Sequence, residues 1–208
     1  MIVIIDYDCG NLFSLASSFK KIGEKSMVSS DPEVIKNADS LVLPGVGAFS
    51  DAALKLKRTG IGEAVISAAA SGTPLLGICL GMQLLFDRSY EYGEWEGLGL
   101  IPGEVVPMKG KIDPSLKIPQ IGWNALDFKK ETPIFSRIKD GDHVYFVHSY
   151  YASGCDDYIT ATTDYSIPVT ASVQNGNVFG CQFHPEKSGD TGLEILKAFC
   201  SVGGNKQI

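Results

Sequence analysis

The first half of the chain alternates short apolar runs with segments of helical periodicity. Residues 2–7, 40–45 and 73–78 read "IVIIDY", "SLVLPG" and "TPLLGI", and such continuous apolar runs predict buried strands. Between them, apolar residues recur three or four positions apart in "GNLFSLASSFKKIG", "GAFSDAALKLKR" and "GIGEAVISAAASG", which predicts helices. Strands and helices in this alternation indicate a mostly parallel sheet with helices on both faces.

The pattern changes in the second half. From about residue 97 to residue 181 the apolar runs are shorter, richer in Thr, Tyr and Val, and separated by turn residues. One run, "VTASVQNGNVFGCQF", carries Asn175-Gly176 between two strand-like segments, which is typical of a hairpin. We therefore expect this half to add antiparallel strands to the sheet. A last helix is predicted near residues 190–201, and one domain is expected over 1–203 with a short tail, 204–208.

Composition and charge narrow the possible functions. The 208 residues are 44% hydrophobic and 20% charged, with a net charge of −6 and no sustained run of Lys or Arg. An acidic chain without a basic stripe is not typical of a nucleic-acid-binding protein. No apolar run approaches the roughly 20 residues of a membrane span. The start, "MIVIID", resembles a first strand rather than a signal peptide, so a cytoplasmic location is predicted.

The five cysteines do not form a recognisable framework. They stand at widely separated positions, odd in number and without a CxxC pair, which fits neither a set of disulfides nor a zinc site. We expect no metal and no cofactor. Cys155, Cys181 and Cys200 are expected to be inert buried residues.

Cys79 has a different setting. It stands in Gly77-Ile78-Cys79-Leu80-Gly81, between a predicted strand and a helical stretch, and G-x-C-x-G is the thiol form of the nucleophile elbow. In such a turn the nucleophile is held in a strained, exposed position, and side chains two residues away would clash. The N–H groups and the dipole of the following helix would favour a thiolate, and the N–H of Leu80 could stabilise an oxyanion. A buried cysteine at a glycine-rich junction is the alternative.

A thiol nucleophile needs a base and a group that orients the base. "QFHPEKS", residues 182–188, offers His184 and Glu186 on either side of Pro185. In an extended chain, residues two apart project to the same side, so this carboxylate is predicted to reach the imidazole. The alternative is a surface His-Pro turn. His148 lies in an apolar run without an accompanying carboxylate, which makes it a weaker candidate for the base.

A glycine-rich turn follows the second predicted strand. In "LVLPGVGAFSD", Gly45, Val46 and Gly47 lie between a strand end and a helix start, where backbone amides could supply a second oxyanion donor. No Lys-Ser/Thr pair follows, so the segment is not a P-loop. A simple strand-to-helix turn remains the alternative.

Taken together, "PGVGAF", "GICLGMQ" and "QFHPEKS" resemble the motifs of the class I (triad) glutamine amidotransferases, in the same order and spacing and over essentially the whole chain. The resemblance implies a flavodoxin-like fold and hydrolysis of glutamine to glutamate and ammonia. It implies that Cys79 is the nucleophile, His184 the general base and then acid, and Glu186 the orienting carboxylate. Substrate contacts are implied for Gly47, Gln83, Glu91, Ser149 and Tyr150.

Further segments resemble one subfamily, the glutaminase subunits of imidazole glycerol phosphate synthases. They are "IIDY…GNLFS", "PGVGAF", "PQIGWN" and "YFVHSYY". The resemblance implies a (β/α)₈-barrel cyclase as the partner in a heterodimer. Ammonia would be channelled to that partner, which forms imidazole glycerol phosphate and aminoimidazole carboxamide ribotide in histidine biosynthesis. Positions implied on or near the partner-facing side are Asn11, Gln120, Trp123 and Asn124.

Three other functions stay open at this point. The same glutaminase could feed ammonia to a different synthase, since the catalytic residues do not specify the acceptor. A noncatalytic regulatory module would carry the elbow without using it. A cysteine peptidase of related fold is disfavoured by Gln83 and by the residues around His184.

Overall fold

A computed structural model describes residues 1–203, so the predicted tail at 204–208 lies outside the described residues. The helices are α1 (Leu12–Lys21), α2 (Pro32–Lys36), α3 (Phe49–Thr59), α4 (Ile61–Ala70), α5 (Leu80–Gln83) and α6 (Gly189–Gly203). Single turns of 3₁₀ helix cover Pro133–Phe135, Asp156–Tyr158 and Pro185–Lys187.

The strands fall into three sheets. They are β1 (Ile2–Ile5), β2 (Ser26–Ser29), β3 (Ser40–Leu43), β4 (Leu75–Ile78), β5 (Phe86–Ser89), β6 (Trp95–Glu96), β7 (Ile101–Pro107), β8 (Gln120–Ala125), β9 (Asp127–Phe128), β10 (His143–His148), β11 (Tyr150–Ser153), β12 (Ile159–Asp164), β13 (Pro168–Asn175) and β14 (Val178–Cys181). The eight-stranded sheet has the order β2-β1-β3-β4-β14-β13-β12-β9. The other two sheets are β10-β8 and β11-β7-β5-β6.

The parallel part of the large sheet comes mainly from the first half of the chain. β1, β3 and β4 are buried along their whole lengths, as expected for strands with helices on both faces. Apolar residues from the sheet and helices form two large cores, one containing Phe49 and Val65 and the other containing Phe19 and Phe199. The predicted α/β class, a mostly parallel central sheet with added antiparallel strands, is confirmed.

The second half does more than extend this sheet. The predicted hairpin forms, with β13 antiparallel to β14 across a turn in which Gly176 has φ +57°. β14 also pairs in parallel with β4, placing Cys181 opposite Ile78. The expected antiparallel strands join the large sheet as β13, β12 and β9, but the sequence did not predict that β5–β8, β10 and β11 build two smaller sheets. Short, separately punctuated strands do not reveal from sequence which neighbour they pair with.

Within residues 1–203, no helix has the length and apolar character needed to cross a membrane.

Candidate active site

Three neighbouring strands bring the predicted site residues together. β3, β4 and β14 lie side by side and parallel, so their carboxyl ends meet at one edge of the sheet. Cys79 follows β4, and its backbone N–H donates to the carbonyl of Cys181 at the end of β14, at 2.7 Å. His184 stands three residues beyond β14. Open α/β sheets bind their ligands at this carboxyl edge.

The turn at Cys79 is strained in the way a nucleophile elbow requires. Cys79 has φ +55° and ψ −111°, a left-handed conformation that is rare for a residue other than glycine. A Cβ at Gly81 would lie 1.8 Å from the carbonyl oxygen of Leu43, and one at Gly77 would lie 2.7 Å from the carbonyl oxygen of Gly81. Only glycine fits at these two positions, because the turn packs directly against β3 and against the start of α5.

Two details of the elbow differ from the sequence prediction. Cys79 is only 7% exposed, so its sulfur is sheltered rather than displayed at the surface. The helix that follows, α5, has four residues and ends at Gln83. A helix of one turn has almost no macrodipole, so the expected dipole contribution to the thiolate was wrong. The amide N–H of Leu80 still opens this turn, where N–H groups have no partner within the helix.

His184 and Glu186 form a buried pair. His184 Nδ1 lies 2.8 Å from Glu186 Oε1, and the side chains are 2% and 5% exposed. The contact was predicted, but for the wrong backbone reason. His184 itself is extended, whereas Pro185–Lys187 is a 3₁₀ turn, and this turn brings the carboxylate back to the ring. The carboxylate accepts from Nδ1–H and so leaves Nε2 as the atom available for chemistry.

Cys79 is the group that faces this ring nitrogen. Among residues 1–203, His184 Nε2 has no hydrogen-bond partner of ordinary geometry, although it is buried. Burial alone would lower the pKa of His184. Hydrogen bonding and charge from Cys79 and Glu186 outweigh that effect and raise the pKa to about 9. The imidazole is therefore protonated at neutral pH, beside the sulfur.

Cys79 and His184 both line a cavity of about 420 Å³, which we call the elbow cavity. Val46, Gly47 and Leu80 line it on the side of the predicted oxyanion donors. A larger cavity, of about 790 Å³, lies between α3 and the β5–β6 hairpin and contains none of the predicted site residues. The elbow cavity is the one that fits a small molecule against the sulfur.

The glycine-rich turn after β3 packs tightly on the elbow. A Cβ at Gly45 would lie within 3.0 Å of the Tyr7 hydroxyl oxygen, the Gly81 nitrogen and the Leu80 Cβ. The Tyr7 hydroxyl also donates to the carbonyl of Pro44 at 2.7 Å. Gly47 has φ +102° and open space around it, so this end of the turn is free to present an amide to the cavity.

The four other predicted substrate contacts, Gln83, Glu91, Ser149 and Tyr150, also line the elbow cavity. Glu91 Oε2 accepts from the backbone N–H of Phe49 at 2.6 Å, at the start of α3. Burial raises the pKa of Glu91, and the Phe49 hydrogen bond partly opposes that shift. Gln83 Nε2 donates to the Tyr150 carbonyl at 3.1 Å, which fixes the side chain at the cavity wall.

Comparisons with known proteins identify the family of the chain. The family described as glutamine amidotransferase class-I matches residues 3–201. The chain belongs to the class I glutamine amidotransferase family. The family expected from the motifs is thereby confirmed.

Two relatives of this amidotransferase carry the same name. The imidazole glycerol phosphate synthase subunit HisH of Caldanaerobacter subterraneus subsp. tengcongensis is 52% identical over 201 residues, covering 96% of this chain and 97% of the relative. The subunit of that name from Listeria monocytogenes serotype 4a is 49% identical over 202 residues, covering 97% and 96%.

Solved structures resemble the amidotransferase in fold. A structure described as a glutamine amidotransferase aligns with a TM-score of 0.77 at 18% identity, covering 98% of this chain and all of the other. PurLQS from Thermotoga maritima aligns with a TM-score of 0.74 at 20% identity, covering 96% and 97%. At these identities the likeness concerns the fold alone.

The residues expected on the partner-facing side of the amidotransferase differ in exposure. Asn11 is exposed and caps α1, accepting from the Ser14 N–H at 3.2 Å. Trp123 is 52% exposed and Asn124 is half-buried. Gln120 is completely buried, and its Nε2 donates to Asn124 Oδ1 at 3.1 Å. Gln120 therefore offers no surface of its own but holds Asn124 in place.

Two buried residues near the sulfur were not predicted as site residues. Gln182 is completely buried, with Nε2 3.7 Å from Cys79 Sγ. His148 donates from Nδ1 to the Tyr150 carbonyl at 2.9 Å, and its buried Nε2 has no hydrogen-bond partner in the described part of the chain. Burial lowers the pKa of His148 to about 4, the Tyr150 hydrogen bond opposes this shift, and the nearby His184 adds to it. The sequence feature that could have identified Gln182 as a site residue is its position two residues before His184.

Three further cysteines have raised pKa values. Burial raises the pKa of Cys155 to about 11 and of Cys200 to about 12, and it raises that of Cys181 further. Such thiols stay protonated and unreactive. In the described part of the chain, no group of three or more His, Cys, Asp or Glu side chains is arranged to hold a metal ion.

Proposed function

We propose that this amidotransferase is the glutaminase subunit of an imidazole glycerol phosphate synthase, acting in histidine biosynthesis. It would hydrolyse glutamine to glutamate and ammonia, and the ammonia would pass to a cyclase that forms imidazole glycerol phosphate and aminoimidazole carboxamide ribotide. The observation that carries the chemistry is the placement of Cys79 beside the buried His184–Glu186 pair in one cavity. The near-complete overlap with HisH relatives at about half identity supports the choice of acceptor.

The reaction follows from the three side chains. His184 Nε2 already holds the proton that the Cys79 thiol has given up, and the thiolate beside it attacks the carboxamide carbon of glutamine. The carbon–nitrogen bond breaks as Nε2–H gives its proton to the leaving nitrogen, which releases ammonia and leaves a thioester. Water, deprotonated by His184, then attacks the thioester and regenerates the thiol. Glu186 keeps the proton of Nδ1 in place and stabilises the imidazolium throughout.

Backbone amides would stabilise the tetrahedral oxyanion. The N–H of Leu80 opens α5 next to the sulfur, and Val46 and Gly47 of the Gly45-Val46-Gly47 segment border the same cavity. Gly47 has φ +102°, a conformation that glycine adopts without strain, and this freedom would allow its peptide to turn toward the oxyanion. Removal of one oxyanion donor typically lowers the rate by about 10²–10³. If this segment donates its hydrogen bond to the oxyanion only when a partner is bound, the isolated chain would have almost no glutaminase activity.

The opposite end of glutamine would bind at the far wall of the elbow cavity. Glu91 carries a carboxylate that suits the α-ammonium group, while Gln83, Ser149 and Tyr150 surround the chain of the substrate. The Phe49 N–H fixes the Glu91 carboxylate in this position. These contacts would select a compact amino acid with a charged head group over a peptide.

A (β/α)₈-barrel cyclase in a heterodimer is the partner that we propose. Ammonia reacts only when unprotonated, so transfer through a contact between subunits protects it from bulk water. Asn11, Trp123 and Asn124 are available at the surface for such a contact. The cytoplasm is the location that we propose for the complex.

The test is to mix the chain with the cyclase subunit of the same organism and measure glutamate release with and without the nucleotide substrate. We expect weak release by the chain alone and activation of at least about 10²-fold in the complete mixture. Full turnover by the isolated chain would contradict the coupled mechanism. Strong glutaminase activity that this cyclase does not alter would point to another acceptor. The absence of glutaminase activity under every condition would point to a regulatory module.

A further inference from the structure

A chain of side-chain amides ends on the sulfur of Cys79. Gln182 lies completely buried directly behind the elbow, and its Nε2 is 3.7 Å from Cys79 Sγ. Its other terminal atom, Oε1, accepts from Gln83 Nε2 at 3.0 Å. Gln83 Nε2 in turn donates to the Tyr150 carbonyl at 3.1 Å. The three groups form one continuous relay from a backbone carbonyl to the thiol.

The direction of this relay is set by the backbone. A carbonyl oxygen can only accept, so the Gln83 atom that faces Tyr150 must be the amide nitrogen. The same nitrogen faces Gln182, so the Gln182 atom in that contact must be the oxygen. The remaining terminal atom of Gln182, the one next to the sulfur, is therefore an N–H donor. Reversing the Gln182 amide would bring two donors together at Gln83 and would set an oxygen against the thiolate of Cys79.

We propose that Gln182 is a fixed hydrogen-bond donor to the reacting sulfur, locked in that polarity by Gln83 and Tyr150, and that it favours the thiolate of Cys79. The inference rests on the proposed function, in which this sulfur is the nucleophile. It adds to His184 a second donor with a different property, because a side-chain amide does not titrate between pH 5 and pH 10.

The surroundings of the sulfur make such a donor effective. The neighbouring acceptor is the Val147 carbonyl, 3.9 Å from Sγ, and it can receive a hydrogen bond only from the protonated thiol. The Gln182 N–H is available to the thiolate, and Gln182 is completely buried while Cys79 is 7% exposed, so a charge-assisted hydrogen bond between them is stronger than in solution. His184 gives up its proton during the cycle, whereas Gln182 keeps its own. The donor is thus present when the thiolate leaves the thioester as well as when it attacks.

The test measures alkylation of Cys79 by iodoacetamide in the full isolated chain between pH 5 and pH 9, with each cysteine followed by peptide mass spectrometry. We expect Gln182→Met, which keeps the volume but removes the donor, to lower the rate at pH 6 about tenfold and to move the profile to higher pH. Gln174→Met is the matched control, since Gln174 Nε2 donates to the Gly176 carbonyl of the hairpin turn, away from the elbow. An unchanged profile in folded Gln182→Met would overturn the inference.

A second measurement needs no variant at position 182. In the wild-type chain labelled with ¹⁵N, the side-chain amide proton of Gln182 is expected to shift with the same pH midpoint as the alkylation of Cys79, while that of Gln174 stays constant. The shift should vanish in Cys79→Ser, whose hydroxyl does not ionise in this range. A Gln182 amide signal that does not respond to pH would overturn the inference.

Different results would contradict the role of Gln182 and the proposed function. An unshifted alkylation profile, in a chain that still requires Cys79 for glutamine turnover, removes the role of Gln182 alone. Glutamine turnover that survives replacement of Cys79 removes the proposed function, whatever the profile of the Gln182 variant.

Discussion

The imidazole of His184 is held by the carboxylate of Glu186 at 2.8 Å, and both side chains are almost completely enclosed. The 3₁₀ turn that begins at Pro185 creates this contact between residues only two positions apart. It commits Nδ1 to the carboxylate and leaves Nε2 for Cys79. The buried Glu186 Oε2 has no partner among the described residues, so the carboxylate has one function in this position, which is to orient and charge the ring.

Replacing Glu186 with Gln is expected to lower glutamine turnover by about 10³-fold or more, because an amide can present N–H to Nδ1 and so stabilise the wrong tautomer. The chain should still fold, since the two side chains have nearly the same shape. Steady-state glutamate release in the complex with cyclase measures the effect. Glu194→Gln, which removes a half-buried carboxylate of α6 that pairs with Lys197 and Arg137, serves as the control and should leave turnover unchanged. A loss below tenfold in Glu186→Gln would contradict the orienting role.

The pKa of His184, raised to about 9, predicts a stability that depends on pH. The unfolded chain binds the same proton with a pKa near 6.5. The bound proton therefore contributes about 3 kcal/mol to the free energy of unfolding. This contribution is complete below pH 6.5 and is lost as pH rises through 9. An NMR titration of the His184 ring should give a midpoint well above 6.5. In Cys79→Ala the midpoint should fall, because the interaction with sulfur is removed while Glu186 remains. A midpoint at or below 6.5 in the wild type would refute the charged ring.

His148 is expected to behave in the opposite way. Its pKa is lowered to about 4, chiefly by burial, so the folded chain keeps the ring neutral while the unfolded chain binds a proton below pH 6.5. Stability should fall as pH drops from 6.5 to 4, by about 3 kcal/mol from this group. Urea unfolding at a series of pH values in the wild type and in His148→Gln isolates the effect as the difference between them. If the free energies of unfolding of the two proteins change with pH in parallel, His148 does not titrate in this way.

Gly81→Ala should be one of the most damaging small substitutions in the chain. The added Cβ would lie 1.8 Å from the Leu43 carbonyl oxygen, and neither backbone can move without breaking the junction of β3 and the elbow. We expect a loss of about 4 kcal/mol or more in the free energy of unfolding. Gly72→Ala is the comparison, because Gly72 has φ +85° but open space, and its loss should be about 1–2 kcal/mol. Equal losses for the two variants would contradict the close packing at the elbow.

The sequence predicted the parts of the site that are local. The G-x-C-x-G spacing predicted the strained turn, and "HPE" predicted the contact between His184 and Glu186, because each depends on residues within a few positions. The length of α5 was not predictable, since the apolar stretch after Cys79 continues through Leu85 in the hydrophobic core without staying helical. Burial of that stretch, rather than helical periodicity, explains its composition.

Contacts across the sheet could not be predicted. Gln182 reaches Cys79 only because β14 lies parallel to β4 in a register that sets Cys181 opposite Ile78. The two residues are about a hundred positions apart, and the same hairpin sequence would form at any edge of the sheet. The antiparallel signal at Asn175-Gly176 correctly predicted the hairpin but contained no information on its second neighbour. The amide relay depends on that register.

The central claim is that the Cys79 sulfur attacks the glutamine carboxamide, and Cys79→Ala tests it most directly. The complex of the variant with cyclase should form product from added ammonia at the wild-type rate and from glutamine at no measurable rate. Cys200→Ala, which removes a thiol with a pKa raised to about 12 in α6, should support both reactions. Glutamine-dependent synthesis that persists in Cys79→Ala would contradict the account.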